Sequence, residues 1–282
     1  MPTFDTPHPI AASIDLSLGE VRISAADRAD TVVDVRPSDA SNPADVKAAD
    51  ETNVVFADDR LLVKGPRARA ILSTRNNTGS IDVTIALPAG SDLEGTAHSA
   101  DFHGDGRLGA CRVKTGLGRI RLESAAALTV KSGAGDVTVD RATGHAEVSL
   151  AAGDVRLGEL DGSAVVKNAN GDTWIGVAGG DTRVKTANGS IVVDRADASL
   201  VAKSANGDVR ARDIARGSVV LETHIGDLEV GIREGTAAWL DVNAVAGRVS
   251  NELDAADAPN GSGDSVEVRA RTSVGDVVIR RA

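Results

Sequence analysis

Tyrosine is missing from the 282 residues, and the only aromatic side chains are Phe4, Phe56, Phe102, Trp174 and Trp239. An ordinary globular core leans on large rings, so this interior has to be narrow and filled by Val, Ile, Leu and Ala. Cysteine is almost as scarce. Cys111 stands alone, which excludes an intrachain disulfide and a multi-cysteine zinc site and suits a reducing compartment. Basic residues are outnumbered 31 to 41 by acids, for a net charge of −10 and a pI near 5.0. Nucleic-acid binders run on a basic excess or a concentrated basic face, so no nucleic-acid partner is expected. No stretch approaches the roughly 18 consecutive apolar residues of a membrane span. Met1 to Ile14 has no basic segment followed by the apolar run of a secretory signal. The expected location is cytoplasmic, with no integral membrane segment.

What the chain does have is repetition, in a composition (41% apolar, 26% charged) that supports a folded core. Glycines followed by Asp or a near substitute recur at Gly118, Gly135, Gly153, Gly171, Gly189, Gly207 and Gly226, with successive differences of 17, 18, 18, 18, 18 and 19. A fixed period of this length implies stacked units, none of which buries its apolar side alone. Within one unit the apolar residues alternate, as at Ala146, Val148 and Leu150 and, after the Gly153-Asp154 turn, at Val155 and Leu157. That is the period of a strand. Equivalent positions form columns: Val130, Val148, Val166, Val184 and Ala202 in one, Val137, Val155, Thr173, Ile191 and Val209 in another. Cys111 falls in the column of Leu128, Ala146 and Ala164, where a buried structural thiol is expected. A hexapeptide helix would repeat its apolar residues every six positions, and a calcium β-roll would carry its glycine-rich nonapeptide at both turns. Neither pattern is present.

The expected fold is therefore all-β, a single-chain β-solenoid of about 18 residues per coil. Residues 1–95 read as an irregular β-rich cap continuous with the solenoid, and residues 96–282 as the repeats. Within the cap, Ile14 to Ile23 and Thr31 to Arg36 read as strands, and Asn53 to Phe56 with Leu61 to Lys64 as a hairpin closed by Asp58-Asp59. Asn42, Pro43 and Asp45 supply a cap, a first-turn proline and an early acid for one short helix from Pro43 to Glu51. The stretch from Gly247 to Gly275 is longer than one repeat and is read as a last coil interrupted by a flexible, acidic insertion near 254–264.

The recurring Val-Lys-x-Ala-Asn-Gly-Asp-Val pattern, at Val166 to Thr173, Val184 to Ile191 and Ala202 to Val209, resembles the bacterial β-strand-repeat "putative adhesin" family of the toastrack group. The segment from Ile85 to Gly90 is similar to that family as well. The resemblance implies a β-solenoid found among membrane-associated and envelope-stress systems, with no catalytic residues to carry over.

Several columns have chemistry to consider. Asn170, Asn188 and Asn206 should stack at the ladder spacing of about 4.8 Å and bond one another through their amides, as a structural ladder. Asp136, Asp154, Asp172, Asp208 and Asp227 would bring carboxylates as close as the pair of a retaining glycosidase. Repeated coils, however, supply the like environments that a catalytic acid–base pair avoids. Lys131, Lys167, Lys185 and Lys203 run alongside and are read as balancing that acidic turn column. His98 and His103, five apart in a strand, should point to opposite faces, and no metal site is expected. No nucleophile elbow, phosphate loop or zinc spacing occurs. No catalytic residue and no cofactor are therefore expected.

Trp174 counts outward from inward-facing Thr173 and Ile175 and shares a column with Arg156, Val192 and Arg210. A large ring beside Val and two arginines has the composition of an interface hot spot, so these four form the candidate patch for a protein partner. The expected function is a non-enzymatic interaction or scaffold module. The alternative is a carbohydrate-active hydrolytic β-helix using the Asp column.

Overall fold

A computed structural model of the chain describes residues 1–66, 79–253 and 264–282. Their regular structure is β-strand throughout apart from one short helix, and the chain divides into two compact units, Met1–Arg141 and Ala142–Ala282.

The first unit contains β1 (Thr3–Asp5), β2 (Ala11–Ala26), β3 (Asp30–Pro37), α1 (Pro43–Asp50), β4 (Asn53–Ala57), β5 (Arg60–Lys64), β6 (Ile81–Pro88), β7 (Asp92–Leu117), β8 (Ile120–Ala134) and β9 (Val137–Ala142). Strand β2 is already a parallel coil. It pairs with β5 and β6 and also with β7, Ala12 lying across from Leu93 and Val21 across from Phe102. Its corner is Gly19, whose φ of +144° and close approach to the Ile81 carbonyl suit only glycine. Antiparallel strands flank this coil: β3 on β6, β1 on β3 and β4 on β5. Asp58 and Asp59 close the last hairpin with φ of 51° and 56°, as a two-residue turn of primed type requires. The helix starts where expected, with the Asn42 side chain accepting from the Ala44 N–H and Pro43 in the first turn.

The interior of this unit is narrow, yet Phe102 is 1% exposed within it. The space comes from Gly95, on the same strand, whose missing side chain leaves room for the ring.

The second unit is built from pairs of strands, one pair per coil. They are β10 (Ala146–Ala152) with β11 (Val155–Leu160), β12 (Ala164–Asn170) with β13 (Thr173–Ala178), β14 (Thr182–Asn188) with β15 (Ile191–Ala196), and β16 (Leu200–Asn206) with β17 (Val209–Ile214). Then follow β18 (Gly217–Ile225) with β19 (Leu228–Ile232), β20 (Ala237–Ala246) with β21 (Val249–Asn251), and β22 (Ser265–Val274) with β23 (Val277–Arg281). Pairing is parallel and in register: Val148 lies across from Val166, Val166 from Val184 and Val184 from Ala202. All four side chains are fully buried. At the corners, Gly171 and Gly189 have φ of +130° and +139°, and a methyl on either would come within 2.1 Å of the carbonyl oxygen of the preceding coil's glycine. The glycine column thus follows from both backbone conformation and coil spacing.

The end of this unit differs from the expected single interrupted coil. Strand β22 pairs with β18 on one side and β20 on the other, and β23 pairs with β19 and β21. In space the coil of Gly275 therefore lies between those of Gly226 and Gly247. The chain first lays down the outermost coil and then returns to fill the gap. Residues 254–263 of the expected insertion lie outside the described residues.

Candidate functional site

The second unit presents one row of outward side chains along β11, β13, β15 and β17. Arg156 lies across from Trp174, Trp174 from Val192, and Val192 from Arg210, so the four residues of the expected patch occupy adjacent coils. Trp174 is 38% exposed and is fixed in place by its neighbours. Its indole Nε1–H donates to Asp194 Oδ2 at 3.0 Å, and Arg212 donates to the other oxygen of Asp194 at 2.9 Å. The ring leans along its strand over Gly176, where a Cβ would stand 3.1 Å from Trp174 Cη2. Arg156 reaches toward Asp154 at 3.9 Å, while Arg210 bonds Asp208 at 2.8 Å and approaches Glu229 at 3.5 Å. Asp194, Arg212 and Gly176 are the members that sequence reasoning missed. Their only signal is position: Gly176 two residues beyond Trp174, with Asp194 and Arg212 in the same column one and two coils on.

The three asparagines lie on adjacent coils. Asn188 donates to Asn170 Oδ1 at 2.8 Å and Asn206 to Asn188 Oδ1 at 2.9 Å, on the exposed side of the corner. The Asp column has a backbone role. Oδ1 of Asp154, Asp172, Asp208 and Asp227 accepts the N–H of Asp172, Ser190, Asp227 and Asp276 respectively, at 2.8 to 3.0 Å. Each carboxylate thus caps the corner of the next coil. A second polar column faces inward. Asn168, Ser204, Thr223 and Thr272 donate to the corner carbonyls of Gly153, Gly189, Gly207 and Gly226.

Lys167, Lys185 and Lys203 stack in register on a strand face, and Lys203 meets Glu222 of β18 at 2.6 Å. His98 and His103 do not point to opposite faces as the sequence suggested. The alternation of β7 slips by one residue between Ala97 and Ala100, where the strand turns a corner, and both histidines fall outside the buried set. His145 is exposed and bonds Ser163 at 2.8 Å. Among the described residues no group of three or more His, Cys, Asp or Glu is placed to hold a metal ion, and no helix is long and apolar enough to cross a membrane.

In the first unit, a groove of about 630 Å³ is lined by small side chains, among them Ala11, Ser13, Ala110 and Ala127, with Val55 and Leu62. Cys111 lines its floor at 2% exposure. Burial, with a smaller contribution from the Asp92 carboxylate, pushes the thiol up to about 12. A thiol so protonated is a packing group.

The model of one family, Toastrack DUF4097, matches residues 11–280. The chain belongs to the Toastrack DUF4097 family. The match takes in both units of this Toastrack chain. A search of the curated proteins finds no match. Among solved structures, the Toastrack chain is similar to a "putative cell adhesion protein" of Clostridium sporogenes, at 12% identity and a TM-score of 0.24, over 100% of this chain and 98% of that one. It is also similar to a "putative adhesin" of Bacteroides fragilis, at 13% identity and a TM-score of 0.34, over 99% and 96%. A third, a "putative adhesin" of Parabacteroides merdae, has 10% identity and a TM-score of 0.34 over 100% and 95%.

Proposed function

We propose that this Toastrack chain is a non-enzymatic interaction module that binds a protein partner through the Trp174 face. The observation that carries the reading is the clamp on Trp174: an exposed ring whose polar edge is bonded to Asp194, itself held by Arg212. A side chain fixed before the encounter loses little rotamer freedom on binding, and tryptophan and arginine dominate interface hot spots. Val192 extends the apolar surface, and Arg156 and Arg210 rim it. A reducing, cytoplasmic compartment fits the single buried thiol of Cys111, and a setting near membrane-associated or envelope-stress systems follows from the family resemblance alone. The hydrolytic alternative has less support, because the Asp carboxylates are engaged alike on backbone N–H groups and no pair has the unlike surroundings that separate an acid from a base. Affinity capture from the native host with the wild-type chain and Trp174→Ala tests the proposal. A partner should be retained by the first and lost by the second, at equal thermal stability. An unchanged set of captured proteins with the fold intact removes this face as the binding site.

A further inference from the structure

The outermost coil of the second unit, β20 with β21, is open. Among the described residues β20 pairs with β22 alone, so one edge of a ten-residue strand has no partner strand. Its core-facing residues show the consequence. Leu240 continues the column of Leu200, Val219 and Val268, and Val242 continues that of Ala202, Leu221 and Ala270. The inner members of both columns are fully buried, whereas Leu240 and Val242 are only half-buried, with no strand beyond them among the described residues. On the outer face of the same strand Trp239 is 65% and Val245 77% exposed.

Proteins usually blunt such an edge by keeping it short or by placing Lys, Pro or a bulge on it. The first unit follows that rule, since β1 has three residues, β4 has five, and Phe4 stacks on Phe56 at 5.1 Å. Strand β20 has no lysine and no proline. Its single charge, Asp241, is already neutralised by Arg269 at 3.1 Å and Arg271 at 3.0 Å. Although the chain carries a net charge of −10, strand β20 itself brings no unpaired charge to this edge.

We propose that this edge is a self-association surface, on which two copies of the chain pair β20 against β20 about a two-fold axis. Antiparallel pairing centred on Val242 is self-complementary. It sets Trp239 across from Val245 of the second copy, Leu240 across from its Ala244, and Asp241 across from its Asn243, so apolar meets apolar and no two acids face each other. Ten residues extend about 33 Å and packed sheets lie about 10 Å apart, so the end face spans roughly 330 Å². Two such faces bury roughly 660 Å², the size of a weak, transient contact, to which the main-chain hydrogen bonds of the paired edges add. The inference is independent of the Trp174 reading.

Sedimentation of the full chain across about 1 to 100 µM tests it, with two double variants. Trp239→Lys with Val245→Lys sets like charges opposite at both ends of the pairing, and Trp239→Glu with Val245→Glu does the same with the other sign. Both positions are exposed, so the circular dichroism spectrum should not change. The wild type should sediment as a dimer of the 28.8 kDa chain, each variant alone at half that mass, and an equimolar mixture of the two as a dimer again. A monomeric wild type, growth beyond the dimer, or a mixture that stays monomeric overturns the proposal.

Discussion

A methyl group on Gly95 would stand 2.5 Å from Cε1 of Phe102, further along the same strand. The two residues share one volume, and the ring is tolerated in a narrow interior because the glycine cedes its place. Gly95→Ala should therefore lower stability by about 1 to 3 kcal/mol through overpacking. Adding Phe102→Leu should recover part of that loss, a non-additivity expected only of residues in contact. Urea denaturation of the two single variants and the double variant measures the coupling, and additive effects would show that the ring does not depend on Gly95.

Thr173 sits between Val155 and Ile191 at 1% exposure, and its hydroxyl has no hydrogen-bond partner among the described residues. A buried hydroxyl without a partner costs about 1 to 3 kcal/mol on mutational scales. Thr173→Val keeps the shape and removes that cost, so it should raise the denaturation midpoint by an amount equivalent to about 1 kcal/mol. A lower midpoint would mean that the hydroxyl is satisfied by water.

Asn188 both donates to Asn170 and accepts from Asn206, so Asn188→Leu removes two amide–amide hydrogen bonds at once. Because the ladder is exposed, the neighbours can turn to water, and the loss should be about 1 kcal/mol. Asn206→Leu removes one ladder bond and should cost about half as much. Equal midpoints for all three proteins would show that the amides act independently.

Cys111 should resist iodoacetamide in the native state up to about pH 10 and react once the chain is unfolded, since burial holds its thiol near 12. The sign of the linked stability effect follows. The native state keeps a proton that the unfolded state releases near pH 8.5 to 9, so the contribution is complete below that range and is lost as pH rises toward 12. The alkaline limb of a stability–pH profile should be shallower in Cys111→Ala than in the wild type.

At the other end of the scale, Asp197 loses solvation on burial, but bonds to Arg195 and Arg233 outweigh that and hold its carboxyl below the usual range. Its contribution is present above the unfolded carboxylate range and falls away as pH drops through its lowered native value. Asp197→Asn should therefore lower the thermal midpoint at neutral pH and differ little from wild type in strong acid.

The coil columns were legible because side-chain alternation and the coil period are local properties. Once Val166, Val184 and Ala202 are known to face inward, the outward row of Arg156, Trp174, Val192 and Arg210 and the stack of Asn170, Asn188 and Asn206 follow by counting. Counting fails where the backbone turns without announcing it. The corner between Ala97 and Ala100 shifts the alternation by one and carries His98 and His103 to the outside together. It also fails for side-chain reach, so the bond from Trp174 to Asp194 and the cap from Asp172 to the N–H of Ser190 were invisible. The order of the last coils was beyond it as well, since the spacing from Gly247 to Gly275 is the same whichever side of the stack the returning strand takes.

That returning strand also sets a sequence of events in time. From β10 to β17 each strand finds its neighbour one coil further along the chain, but Ile225 of β18 pairs with Val274, beyond the whole of β20 and β21. Closing the longer loop costs only about 0.9 kcal/mol more than closing a single coil, too little to matter once the chain is complete. During synthesis the delay matters more. As a nascent chain emerges, β20 and β21 appear first, with nothing to template them, and the exposed edge of β18 must wait for the C-terminal pair β22 and β23 before it is covered. Zippering from the N-terminus therefore stops two coils short, and β22 and β23 act as a keystone whose arrival locks both at once.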